Sequence, residues 1–192
     1  MATQPSPLFT IQQYLDIERA AEFRSEYIDG GMYAMSGGSP NHAVIAMLLG
    51  AKLVPQLVGS NCRVAGSDLR VYCKSGPVLT YPDLVVYCNP AKFMDSKKDT
   101  LADATVIVEV LSPSTQNYDR SQKFRYYRSL PSFSEYLLLA QDEIRLEHHV
   151  RREDGAWVFR EFTDPETEIV LDSIHCRFRL GDLYLWVEFE SE

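Results

Sequence analysis

Polar and apolar positions recur along this chain with two periods, and each stretch predicts an element. From Thr10 to Glu22 the spacing is helical: Tyr14, Leu15 and Ile17 begin an apolar stripe, and Thr10 with Gln13 forms a capping-box pattern. "SEYIDGGMYAM" predicts a hairpin with Asp29-Gly30 at its turn. "GGSPNHAVIAMLLGAKLV" predicts a long apolar helix, with Ser39 as N-cap and Pro40 as first residue. That helix should reach about Leu57, unless Pro55 ends it early.

The pattern then turns to strands. "CRVAGSDLRVYC" carries an interior Gly-Ser-Asp that predicts a bulge or a bend. "LTYPDLVVYC" and "ATVIVEVLS" are almost continuously apolar, the mark of central strands covered on both faces. Asn117 to Leu130 is helical again, with Phe124 and Tyr127 three apart. "SEYLLLAQDEIRLEHHVRREDGAWVFREF" predicts strands joined by turns, one at Asp154-Gly155, and "DLYLWVEF" a short closing helix or strand. The elements describe a mixed α/β chain, read as one domain over residues 1–192.

Composition narrows the class. The 192 residues suffice for one sizeable core, and 45% apolar with 24% charged residues is a globular balance. No apolar run approaches the roughly 20 residues of a membrane span, and "MATQPSPLFT" lacks the basic-then-apolar pattern of a leader, so a cytoplasmic protein without membrane partners is expected. Cys62, Cys73, Cys88 and Cys176 form no CxxC pair and are expected as small core residues, not as a zinc site or disulfide framework. The net charge of −8 argues against a protein that simply coats nucleic acid, yet allows an enzyme acting on a polyanion.

Candidate chemistry lies where acids interrupt apolar strands. Glu109 sits inside "VIVEVL", where an unpartnered carboxylate would cost several kcal/mol or more. Asp83 enters the preceding strand through "YPDLVV", Asp68 lies in "GSDLRV", and Glu26 opens the hairpin. Neighbouring strands that each present one carboxylate would make an oxygen-ligand site suited to magnesium, which supports phosphodiester hydrolysis. A nearby lysine would position water or offset charge on the phosphorane-like transition state.

Each candidate has a plain alternative. Glu109 could pair with Arg70 or Arg125. Asp83 could mark a strand-opening turn. Lys123 could form a solvated i,i+4 pair with Asp119. Glu26 could be a surface acid, and Asp68 a turn residue. His42 reads as a capping or packing residue, and Ser112 and Ser114 as turn residues beside Pro113. Lys97, Lys98, Arg120, Lys123, Arg125 and Arg128 flank the acid-bearing strand and could line a phosphate-contacting rim.

"SEYIDGGMYAMSGGSPNH", "GSDLRV", "YPDLVVY" and "VIVEVLSPSTQNYDRSQKFRYYRSLPSFSEYLLL" together resemble the Uma-type restriction-endonuclease family of the PD-(D/E)xK nuclease superfamily, over roughly Tyr14 to Val187. The resemblance implies a restriction-endonuclease-like α/β fold, with a central mixed β-sheet flanked by α-helices. It implies hydrolysis of DNA by a magnesium ion, with manganese as a substitute, held by Asp83 and Glu109. The superfamily lysine belongs two residues after the second acid, where this chain has Leu111; the resemblance places the lysine on the following helix, as Lys123. Glu26 resembles the extra acid of such nucleases. Leu111 also admits a catalytically inactive nucleic-acid- or protein-binding module, and the acidic charge admits a phosphohydrolase of small substrates. DNA is the expected partner, and a homodimer stays open.

Overall fold

The computed structural model describes residues 8–189. Most of the segment read for a leader lies outside them.

The elements in chain order are α1 (Ile11–Glu18), β1 (Ser25–Ile28), β2 (Gly31–Ala34), α2 (Pro40–Leu57), β3 (Cys62–Gly66), β4 (Arg70–Cys73), β5 (Val78–Thr80), β6 (Leu84–Cys88), β7 (Thr100–Leu101) and β8 (Val106–Leu111). A helical segment follows, made of α3 (Gln116–Tyr118), a π-helical turn (Asp119–Lys123) and α4 (Phe124–Tyr127). Strands β9 (Glu135–Ala140), β10 (Leu146–Arg151), β11 (Trp157–Phe162), β12 (Glu168–Leu171) and β13 (Cys176–Arg179) complete the chain, with a 3₁₀ turn at Leu180–Tyr184.

The strands divide between two mixed sheets. One runs β2-β1-β5-β4-β7, the other β11-β10-β9-β8-β6-β3, and β12 pairs β13 in a separate ribbon. This is a mixed α/β fold, as the pattern predicts. The Gly-Ser-Asp of "CRVAGSDLRVYC" is the bend by which the chain leaves the six-stranded sheet for the five-stranded one.

Strand β8 is central because both its faces are apolar. Val106, Val108 and Val110 pack with Ile45, Leu49 and Leu53 of α2 in one core. Ile107 and Leu111 point the other way, into a second core with Tyr126, Tyr127, Phe133 and Tyr136. Burying each such side chain contributes about 1.5–3 kcal/mol.

Local signals explain the helix ends. The Thr10–Gln13 capping box forms, but α1 stops at Glu18, not Glu22. The Glu18 carboxylate turns back to accept hydrogen bonds from the Ser25 backbone N–H at 3.0 Å and hydroxyl at 2.6 Å, fixing the turn into β1. Pro55 does not end α2 early. The last turn persists because Leu53 and Leu57 are buried and the Gln56 amide donates to the Lys52 carbonyl at 2.8 Å.

The cysteine expectation needs one correction. Cys73 and Cys176 are buried and free, whereas Cys62 and Cys88 are joined in a disulfide. They stand opposite each other in the β3–β6 register, a relationship that spacing along the chain does not reveal. Among the described residues no helix is long and apolar enough to cross a membrane.

Candidate active site

Strands β6 and β8 are antiparallel, with Leu84 opposite Val108. Asp83, one residue before β6, therefore stands opposite Glu109. Its Oδ2 accepts a hydrogen bond from the Val110 backbone N–H at 2.7 Å and lies 3.2 Å from His42 Nε2. Glu109 shares the face of Ile107 and Leu111, so it points toward the helical segment. There its Oε1 accepts from the Tyr127 hydroxyl at 2.7 Å and meets Lys123 Nζ at 3.1 Å.

Lys123 is the hub. Its ammonium also lies 3.4 Å from Glu26 Oε1 and 3.4 Å from Asp119 Oδ1. Glu26 is held on β1 by the Thr80 hydroxyl and, at 3.3 Å, by the Tyr81 backbone N–H. All four charged residues are buried. The Asp119–Lys123 pair expected in solvent exists, but inside the protein. Glu109 pairs with neither expected arginine: Arg70 binds Asp99 at 2.6 Å, and Arg125 stacks over Tyr126.

Burial and charge pull these groups apart. Desolvation pushes the Glu109 carboxyl well above the usual range, and neighbouring Asp119 and Asp83 add to this against the pull of Lys123. Asp119 is raised for the same first reason. Burial alone would depress Lys123, but the Glu109, Glu26 and Asp119 carboxylates outweigh it and hold the ammonium well above its ordinary value. One ammonium cannot neutralise three crowded carboxylates, so both directions hold at once. His42 is also raised: burial opposes its charge, and Asp83 overcomes that penalty.

These side chains form the floor of a cleft of about 1140 Å³ lined by α2, the β1–β2 hairpin and the helical segment. The structure thus brings Asp83, Glu109, Lys123 and Glu26 together. Asp68 is elsewhere, exposed and paired with Arg24 at 2.9 Å. Of the six cations expected to form a phosphate-contacting rim, only Lys123 lines the cleft; Arg120 instead binds Glu147 at 2.8 Å, and Arg128 stacks over Phe124. Sequence reasoning missed His42, Asp119, Tyr118 and Tyr127. Tyr118 also lines the cleft, and its hydroxyl is buried with no hydrogen-bond partner among the described residues.

The mixed sheets and the helices packed on them define the class of the fold, a restriction-endonuclease-like α/β architecture. The solved structure of a "putative nuclease belonging to DUF820" from Anabaena variabilis superposes with a TM-score of 0.75, covering 94% of this chain and 99% of that one, at 17% identity; at that identity the likeness concerns the fold. The chain belongs to the Uma2 family, described as "Putative restriction endonuclease", whose model matches residues 11–181. Two Synechocystis proteins, slr1290 and sll1609, both described as uncharacterized, are similar along nearly their whole length. They are 33% and 32% identical, covering 96% and 88% of this chain and 96% of each relative.

Proposed function

We propose that this protein is a metal-dependent endonuclease that hydrolyses DNA phosphodiester bonds. The observation that carries the reading is the meeting of Asp83 and Glu109, opposite one another on neighbouring strands, with Lys123 3.1 Å from Glu109 on the floor of an open cleft.

The donor set fits a magnesium or manganese ion. Three carboxylates (Glu26, Glu109 and Asp119) share the Lys123 ammonium and Asp83 meets His42, so acids outnumber the basic groups that face them. The partners of Asp83 engage Oδ2 and those of Glu109 engage Oε1, so Oδ1 and Oε2 remain as donors. Among the described residues no group of three or more His, Cys, Asp or Glu side chains is placed to hold a metal ion, so the protein would supply two ligands at most. Magnesium commonly uses one or two carboxylates and completes its shell with water or substrate phosphate. Asp83 and Glu109 would hold the ion, which would supply Lewis acidity to the phosphodiester.

The chain's own residues do the rest. Val110 N–H and His42 fix Asp83, and Tyr127 fixes Glu109. Surrounded by carboxylates, Lys123 stays an ammonium, so it acts as a donor, not a base: it orients water or offsets charge on the phosphate. Glu26 keeps that ammonium in place from the β1 side. Leu111 is no obstacle, because it fills the second core while Lys123 reaches the same face of β8 from the helix.

The test is cleavage of labelled DNA in magnesium or manganese by the native chain and the Asp83→Asn variant. Metal-dependent cuts by the native chain alone are expected. DNA left intact by pure, folded protein in both metals would overturn the reading and favour the binding module that Leu111 also admits.

A further inference from the structure

The walls of the cleft differ in chemistry from its floor. Phe23 and Tyr33 are 81% and 57% exposed, and Met47 and Val54 are 73% and 50% exposed; all four line the cleft. Phe23 lies between α1 and β1, Tyr33 on β2, and the other two on α2. Large apolar side chains gathered at one opening mark a surface that something covers.

The charges of the cleft exclude one kind of occupant. Its lining holds five acids (Glu22, Glu26, Asp83, Glu109 and Asp119) against the cations Arg24 and Lys123 and one histidine, His42, which already faces Asp83 at 3.2 Å. Both cations are already engaged, Arg24 by Asp68 at 2.9 Å and Lys123 by its three acids. A protein holds the phosphates of a duplex or of a single strand with rows of lysine and arginine, and a duplex, its base faces hidden, offers little else to grip. Among the described residues no such row lines this cleft, so an occupant has to be held through its bases. A single strand presents its base faces, which stack on aromatic side chains whatever the sequence.

Resting on the nuclease reading above, we infer that the substrate enters as unpaired, single-stranded DNA. Its bases lie against Phe23 and Tyr33 while one phosphate reaches the Asp83–Glu109–Lys123 floor. The apolar residues of α2 close the other wall against sugar and base edges.

The experiment measures binding of a fluorescent 20-nucleotide single strand and of a hairpin duplex to the whole chain, with calcium replacing magnesium. The single strand should bind at least about ten-fold tighter than the duplex. The exposed double variant Phe23→Ala/Tyr33→Ala should keep its fold and lose roughly ten-fold or more of that affinity, the scale of losing one or two stacked bases. Equal or tighter duplex binding, or unchanged affinity in the variant, overturns the inference. So does a variant that turns from dimer to monomer and still binds, because the patch then serves a second copy of the chain. Duplex cleavage in magnesium without single-strand preference sinks this inference and spares the nuclease reading. Stacking-dependent binding without cleavage in either metal does the reverse.

Discussion

Lys123 Nζ lies 3.1 Å from Glu109 Oε1, although one residue belongs to a helical turn and the other to the central strand. The helix delivers a cation to a place that a side chain two residues along the strand would otherwise reach. Lys123→Met keeps the apolar stem and removes the charge. We expect cleavage to fall about 10²- to 10³-fold, the scale for one positioned donor at a transition state. The variant should also lose stability at neutral pH, by about 3–5 kcal/mol, because three buried carboxylates lose their partner. Lowering the pH toward 5 should restore part of that stability as a carboxyl takes up a proton. Denaturant curves at pH 5 and 8, beside cleavage rates, check both halves; full activity in the folded variant removes Lys123 from the mechanism.

Metal and pH should be linked through Glu109. Its folded value is raised above the ordinary 4.5, so its contribution to stability is complete below that pH and is lost as pH rises through the folded value. An ion bound to the ionised carboxylates opposes that loss. Magnesium or manganese should therefore stabilise the fold more at pH 8 than at pH 5.5, reaching about 2.7 kcal/mol at a hundred times the dissociation constant, seen as a higher melting temperature. Asp83→Asn should abolish the gain. Melting curves indifferent to millimolar metal at pH 8 would count against the site.

Tyr127 tests orientation. Its hydroxyl donates to Glu109 at 2.7 Å from a fully buried ring. Tyr127→Phe leaves the ring packing and should cost about 1–3 kcal/mol for the unmet acceptor. Cleavage should fall with little change in affinity for DNA. A variant with native turnover would reduce Tyr127 to a core residue.

How far the sequence reveals this site depends on what each residue's neighbours betray. Asp83 and Glu109 are legible because a carboxylate inside an apolar strand is costly and demands a partner. Lys123 is legible through family resemblance, its partners only in part. Asp119 reads as a solvated helix residue because periodicity reports which faces are apolar, not which polar face another element will cover. His42 reads as a cap because its place on α2 is local, whereas its contact with Asp83 depends on how α2 crosses the sheet. Tyr127 counts as one more apolar position, its phenol invisible to the pattern. The Cys62–Cys88 bond and the division into two sheets depend on strand register, which the chain fixes only when folded.

Away from the cleft, Asp99 joins distant parts of the chain. It binds Arg19 at 2.8 Å and Arg70 at 2.6 Å, and Arg19, with Arg70 behind it, holds its carboxyl well below the usual range. A depressed carboxyl contributes stability above its unfolded value of 3.8 and loses it as pH falls through the folded one. Asp99→Asn should cost about 1–2 kcal/mol at pH 7, a modest figure because a third of the side chain meets water. It should also flatten the decline in stability below pH 4. An unchanged acid limb would show the network to be dispensable.

The π-helical turn at Asp119–Lys123 has a consequence for how this segment tolerates insertion and deletion. At 3.6 residues per turn, side chains four apart overshoot one revolution by about 40°, so Asp119, Lys123 and Tyr127 would fan away from a common line. A wider turn takes back some of that drift and keeps all three aimed at β8. The alignment therefore hangs on a surplus residue. Deleting exposed Ser121 would remove no side chain of the site. It would nonetheless return the wide turn to ordinary α winding, with Asp119 and the lysine three residues and about 300° apart, off the line they now share.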